Sequence, residues 1–225
     1  MVLRMLWNIG SGLVHGAFRP KSSSGLAGLH YPAVWKARSG FLDCDVNLHL
    51  NNSSYLFGME LARWHFTASN GVLWQTLKHR RMFLVASQAI RYRHGIPPFH
   101  AYEIKSQMIY WDGSWIYFLQ QFHDPSSGKL FAEGLCRAVV KQRGEDVPFA
   151  RLIAEVYDGP VPDQPADMPD IVKGFLEWDA ASRSSMEVTQ ARETKIINSN
   201  PPPPKPQSLG ARIWTEVLRS MNRPY

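Results

Sequence analysis

Two aspartates, a histidine and three asparagines fall within the thirteen residues from Asp43 to Tyr55: Asp43, Asp45, Asn47, His49, Asn51 and Asn52. A carboxylate can act as a general base on water or attack an electrophilic carbonyl, and a histidine can move a proton near neutral pH. Side-chain amides can orient a water or a carbonyl oxygen. Together these types suit hydrolysis. Each also has a structural reading: Asp45 can cap a turn, His49 can bond the backbone, and Asn51 and Asn52 are N-cap types. Tyr55 reads as core, its hydroxyl tied to a polar neighbour, and Asp43 as a turn residue.

These residues need a scaffold, and the sequence supplies one on their carboxyl side. Tyr55, Met59, Ala62 and Phe66 recur at helical spacing, with Leu56, Glu60 and Arg63 on neighbouring faces and a stop at Asn70-Gly71. The spacing predicts a helix of roughly 17 residues. Its amino end offers free amides and a partial positive charge, which polarise a carbonyl oxygen placed there. Beyond it, an apolar run predicts a strand over 81–92, two aromatic-rich runs predict strands over 102–111 and 114–123, and a last strand is read over 129–141. Asp112-Gly113 is read as a two-residue hairpin turn, and 124–128 as a second turn. Ala132, Gly134, Cys136 and Ala138 share one face of the last strand, where small side chains let a packed element come close.

The pattern Asp-x-Asp-x-x-x-His-x-Asn-Asn-x-x-Tyr, on Asp43, Asp45, His49, Asn51, Asn52 and Tyr55, resembles the hot-dog acyl-CoA thioesterases of the hydroxybenzoyl-CoA thioesterase type. Within them the chain looks similar to the thioesterase superfamily member six group and to fungal thioesterase-like proteins. The resemblance runs from about Val34 to Arg143 and includes the last-strand segment 129–134. It implies an α+β hot-dog fold, with an antiparallel sheet wrapped around a long central helix. It also implies an acyl-CoA or acyl-carrier thioester as substrate and a homodimer or higher homo-oligomer with acyl channels between subunits. An open sheet edge agrees with pairing. By position the catalytic carboxylate falls on Asp45, with Asn47, His49 and Asn51 as further catalytic candidates. Asn52, Tyr55, Arg91 and Arg93 are candidates for binding substrate. A glycine that family members carry shortly after the carboxylate is missing; Leu48 precedes His49 here.

Other chemistries lack their signatures. There is no Gly-x-Ser-x-Gly elbow, no Cys-x-x-Cys and no His-Glu-x-x-His, so neither a serine hydrolase, a metal nor a cofactor is expected. Asp45-Val46-Asn47-Leu48-His49 has some likeness to the hydratase signature of the same fold, which makes an enoyl-CoA hydratase the alternative enzyme. A non-catalytic acyl-CoA or lipid-binding module is the alternative outside catalysis. Net charge +6 and a pI near 9.4 suit an anionic partner such as the CoA phosphates. Arg91, Arg93, Lys105, Arg137, Lys141 and Arg143 lie on or beside the predicted strands. No nucleic-acid motif is present, and nucleic acid is not an expected partner. Two cysteines, Cys44 and Cys136, fit a reducing, intracellular setting.

Three regions are expected: an amphipathic segment over 1–30, the hot-dog domain over 31–158, and a proline-rich linker with a helical extension over 159–225. No acid precedes Asp43, and Arg4, Asn8, Ser11 and His15 form one narrow stripe on an otherwise apolar helix. Residues 1–18 can therefore lie on a membrane surface, direct the chain to mitochondria, or pack over the domain. The expected location is the cytoplasm, with a mitochondrial or membrane-associated one as alternatives. Residues 150–157 read as a short helix or edge strand. Ile171, Phe175, Trp178 and Ser182 suggest another amphipathic helix, 200–206 a stiff spacer, and 209–221 a last helix.

Overall fold

The computed structural model describes residues 2–18, 28–29, 31–199 and 214. The spacer and last helix expected beyond residue 199 lie outside these, apart from helical Trp214. The chain divides into two compact units, Met1–Phe175 and Leu176–Tyr225.

The first unit opens with α1 (Val2–Phe18), then β1 (Ala33–Arg38) and a 3-10 turn (Phe41–Asp43). Next comes α2 (Asn52–Ser69), one residue longer than expected, followed by α3 (Val72–Lys78), a short helix the sequence reading passes over. Four long strands complete the sheet: β2 (Arg81–Tyr92), β3 (Ala101–Asp112), β4 (Trp115–His123) and β5 (Leu130–Gln142). A two-residue β6 (Glu145–Asp146) pairs with the end of β5, and α4 (Phe149–Ala154) settles residues 150–157 as largely helical. All pairings are antiparallel and the order is β1-β3-β4-β5-β2, so β1 and β2 form the two ends. The hairpin after β3 is shifted by one from the sequence reading. Asp112 pairs with Trp115, which leaves Gly113-Ser114 as the loop, with Gly113 at φ 56° supplying the left-handed first position.

The sheet curls around α2, and on β1 and β3 burial follows the period of two on which strand patterning rests. On β3, Tyr102, Ile104, Ser106, Met108 and Tyr110 are buried in alternation with half-exposed neighbours. Two apolar clusters result. One joins Tyr55, Met59 and Ala62 of α2 to Ile104, Phe122, Phe131 and Ala132. The other joins Phe66 to Met108, Phe118, Cys136, Val140 and α4. Between them α2 lies close on the sheet: a Cβ on Gly134 would stand 2.5 Å from the Met59 methyl carbon, so a larger residue there requires the end of the Met59 side chain to swing aside. The small-residue face read in the last strand thus does what its spacing implied.

That seam also holds polar groups. The guanidinium of Arg63, only 7% exposed, donates from Nη1 to Gln120 Oε1 at 2.7 Å. The fully buried Gln120 in turn donates from Nε2 to Met59 O and to Ser106 Oγ, both at 3.0 Å. Further along, Arg81 forms a forked pair with Glu155, at 2.5 and 2.9 Å. The hydrogen bonds from the arginine hold the Glu155 carboxyl below its usual range.

The helix expected around Ile171 to Ser182 is α5 (Asp170–Ser199), a single 30-residue helix. Val172 and Phe175 of its first turns are buried in the first unit. From residue 176 onward its large apolar side chains, Trp178, Met186, Val188, Ile196 and Ile197, are exposed.

Candidate active site

The loop from Cys44 to Leu50 closes on itself. A β-bridge joins Cys44 to Leu50, the Asp45 amide donates to His49 O at 2.9 Å, and the Leu48 amide returns to Asp45 O at 3.1 Å. Such a tight reversal needs one residue in the left-handed region, and Leu48 takes it, at φ 54°. The missing glycine is thus replaced by a leucine that follows a glycine-like path. Its own amide is spent inside the loop, so it is not available to polarise a substrate.

The loop hands over directly to α2. Asn51 is the N-cap: its Oδ1 accepts from the Ser54 amide at 3.0 Å and from Ser53 Oγ at 2.6 Å. This is the structural reading of Asn51, and it occupies the side-chain oxygen. Asn52 follows as the exposed first helical residue. The amides of the first turn point back toward the loop, as at any helix start.

The two acids have separate fates. Asp43 is spent: Oδ1 accepts from Arg4 Nη1 at 2.6 Å and Oδ2 from the Gly40 amide at 3.0 Å. Asp45 is not. One oxygen accepts from the Asn47 amide at 2.9 Å, which braces the carboxylate in an Asx turn, while the other stands 3.6 Å from His49 Nδ1. The Asp45 side chain is 32% exposed. His49 lies flat against Gly95, where a Cβ would come within 3.1 Å of its own, and its Nδ1 is 3.4 Å from Leu50 O. Asn47, whose backbone amide meets Asp45, is exposed. The loop therefore brings Asp45, Asn47 and His49 together. Cys44, between the acids, is a spectator whose thiol is pushed up by burial and then by both carboxylates.

The substrate-binding candidates divide. Tyr55 is 2% exposed, packed edge-on against Tyr92 and Phe122, and its hydroxyl donates to His94 O at 3.3 Å. Burial pushes its phenol up to about 12. It is a post that fixes α2 to the chain leaving β2. Arg91 and Arg93 are exposed at that same end of β2. The Leu50 amide donates to Ile96 O at 2.8 Å, so this end of the strand and the Asp45 loop are neighbours. Other basic residues are engaged: Arg137 stacks on Trp115, Lys105 pairs with Glu103 and Lys141 with Asp146.

Among the described residues of the first unit, Asp45 lines neither of two sizeable clefts. One of about 610 Å³ lies between α1, β1 and α2 and reaches Asp43, Leu50 and Ser54. The other, about 740 Å³, runs between the second half of α2, α3 and β2, over Trp64, Leu73, Leu77, Phe83 and Val85, with the buried Arg63 in its lining. Its size is in the range of small-molecule sites. Along its β2 wall, Ser87 Oγ and Gln88 Oε1 are buried with no hydrogen-bond partner among the described residues. The sequence reading missed this cleft and Arg63 with it. An arginine on the helix face beside the apolar stripe was the available signal. Among the described residues no cluster of three or more His, Cys, Asp or Glu side chains could hold a metal ion.

A five-strand antiparallel sheet in this order, curled around one long helix whose amino end meets a carboxylate loop, defines a hot-dog protein. The thioesterase-like superfamily profile matches residues 39–178, and the chain belongs to that family. It is 32% identical to the protein THEM6 of Drosophila melanogaster over 148 residues, which are 65% of this chain and 72% of that one. It is 26% identical to the thioesterase poxG of Penicillium oxalicum over 122 residues, 48% of this chain and 40% of that protein. A solved 1,4-dihydroxy-2-naphthoyl-CoA thioesterase from Synechocystis superposes with a TM-score of 0.51 at 10% identity, over 57% of this chain and 99% of that one. That last likeness is one of fold.

Proposed function

We propose that the chain hydrolyses acyl thioesters of CoA or an acyl carrier, with Asp45 as the reacting carboxylate. The observation that carries this reading is the asymmetry of the acid pair. Asp43 is consumed by Arg4 and Gly40, while Asp45 is braced through one oxygen and leaves the other toward His49 and solvent. As a general base, that oxygen takes a proton from water as the water oxygen bonds to the carbonyl carbon. The carbon–sulfur bond then breaks, and the departing thiolate takes back the proton that Asp45 removed from water, which restores the carboxylate. Oxyanion charge is met by the amino end of α2 and by the Asn47 side-chain amide. His49 holds the loop against Gly95 and orients the carboxylate.

A single copy leaves this carboxylate away from the 740 Å³ cleft, and β2 supplies the remedy. It is a twelve-residue strand at a sheet end, with Met82, Leu84 and Val85 exposed and unpaired polar atoms at Ser87 and Gln88. Antiparallel pairing of β2 with β2 of a second copy about a two-fold axis lays the first half of one strand beside the second half of the other. Each copy's cleft then opens beside the other's Tyr92 to Gly95 and its Asp45 loop. Arg91 and Arg93 stand at the mouth, where CoA phosphates would emerge.

The test is a panel of saturated acyl thioesters assayed with the wild type and Asp45→Asn. The expected loss in kcat is on the order of 10²–10⁴-fold, with a modest change in KM. Equal rates would remove Asp45 from the mechanism. Turnover of enoyl-CoA alone would assign a hydratase, and tight binding without turnover a carrier module. Val85→Lys, which puts a charge on the pairing edge, should yield monomers by light scattering and lower the rate with Asp45 still in place.

A further inference from the structure

The first helix sits inside out. A helix packed over a domain normally buries its apolar stripe and gives its polar stripe to water. In α1 the polar stripe faces the protein. Arg4 reaches Asp43, and Asn8, 6% exposed, accepts from Trp35 Nε1 at 2.6 Å. His15 Nδ1 meets His65 Nε2 at 2.9 Å. Glycines complete the seat: a Cβ on Gly12 would stand 2.6 Å from His65 O and one on Gly16 2.7 Å from Ser69 O. Polar bonds and backbone-to-backbone fit together fix the rotation of the helix about its own axis.

The outward face that results is apolar. Leu3, Leu6, Trp7, Leu13, Val14 and Phe18 are 48–84% exposed, and the one charged residue of the helix, Arg4, is tied to Asp43. The face continues onto the 3-10 turn, where Phe41 and Leu42 are also exposed just before the residue that holds Arg4. Charge decides what covers it. The first 42 residues carry Arg4, Arg19, Lys21, Lys36 and Arg38 and no acid, and Lys36 and Arg38 are exposed on the neighbouring β1. A second copy docked on this face would bring like charges together. An anionic lipid surface meets both the apolar face and its basic surroundings.

We infer that α1 is an interfacial helix that lies flat on an anionic membrane, with its outward apolar side chains among the acyl chains and Lys36 and Arg38 at the headgroups. Its 17 residues extend about 25 Å, a length that suits lying in the interface. No described helix is long and apolar enough to cross a membrane. The inference is independent of the thioesterase reading, because none of the groups on this face belongs to the Asp45 loop.

The experiment is co-sedimentation of the full chain with sucrose-loaded vesicles of phosphatidylcholine, alone or with roughly one-third phosphatidylserine. The wild type should pellet with the anionic vesicles and partition at least about tenfold less to the neutral ones. Leu6→Glu/Trp7→Glu should lower partition to anionic vesicles about tenfold or more, with unchanged circular dichroism and thermal melting, because both side chains are exposed. Lys36→Glu should weaken anionic binding and leave the low neutral binding as it was. A wild type that stays in the supernatant with both vesicle types overturns the inference, as does a double variant that pellets as well as the wild type. A wild type whose oligomer is broken by the double variant, with no vesicle binding in either, assigns the face to a second copy and overturns it too.

Discussion

The buried amide of Gln120 is the nearer of two acceptors of Arg63, at 2.7 Å against 3.8 Å for Cys136 Sγ, and Gln120→Leu tests how far the arginine depends on it. The substitution is close in volume and leaves no large cavity, so its effect is electrostatic. It removes a 2.7 Å bond to a guanidinium and the 3.0 Å donor to Ser106 Oγ. The Met59 carbonyl keeps its own helical bond. A hydrogen bond to a charged group is worth about 1.5–3 kcal/mol, and a buried hydroxyl that loses its partner adds about 1 kcal/mol. The expected cost is about 3 kcal/mol, a large share of the 5–15 kcal/mol typical of a domain. Melting should fall by roughly 6–12 °C for a chain of this size. Arg63→Met alone leaves the Gln120 carbonyl oxygen unmet and should cost about 2 kcal/mol. The double variant replaces both polar groups with apolar ones and should be more stable than Gln120→Leu alone, by about 1–2 kcal/mol. Urea unfolding of the four proteins gives the coupling directly. A double variant whose loss equals the two single losses within about 0.5 kcal/mol would refute the reasoning.

Asn51→Ala should lower stability by about 1 kcal/mol and Asn51→Asp by little, since aspartate caps α2 equally well. If thioester turnover collapses in Asn51→Asp while its unfolding curve is unchanged, Asn51 does more than cap. Leu48→Gly should keep stability within about 1 kcal/mol, because relief of the left-handed turn offsets the greater freedom of the unfolded glycine, whereas Leu48→Val should destabilise. Chemical denaturation separates the two. The Arg81–Glu155 pair contributes above the ordinary carboxylate range. Its contribution fades as pH falls through the depressed carboxyl value of the folded chain. Glu155→Gln should therefore flatten the acid side of a stability–pH profile and, by stranding the fully buried Arg81 side chain, lower stability at pH 7. A variant with the same acid slope as the wild type would contradict this.

Local patterns carried most of the architecture. β2 through β5 were legible because apolar and aromatic runs and the Gly and Pro punctuation between them are properties of adjacent residues. Asn51 was legible as a cap because N-capping needs only three residues of context. The acid pair stood out by type and spacing, yet which acid is spent depends on Arg4, thirty-nine residues away from Asp43. Arg63 escaped notice for the same reason, since its acceptor Gln120 comes from a strand fifty-seven residues later. The stripes of α1 were visible in the sequence, but periodicity states that two faces differ and not which of them turns inward. That was decided by Gly12 and Gly16, whose fit against α2 is a tertiary fact. α3, at seven residues, is too short to show a period.

The unlike ends of the sheet set a limit on growth. β1 has six residues, and Lys36 and Arg38 are exposed along it, whereas β2 has twelve and exposes Met82, Leu84 and Val85. A short, charged margin resists strand addition, while a long apolar one invites it. Once two copies have joined through their longer margins, what remains at both extremities is the charged one. The β2 pairing proposed above would therefore be self-limiting: it would stop at two, and a filament would have no place to start.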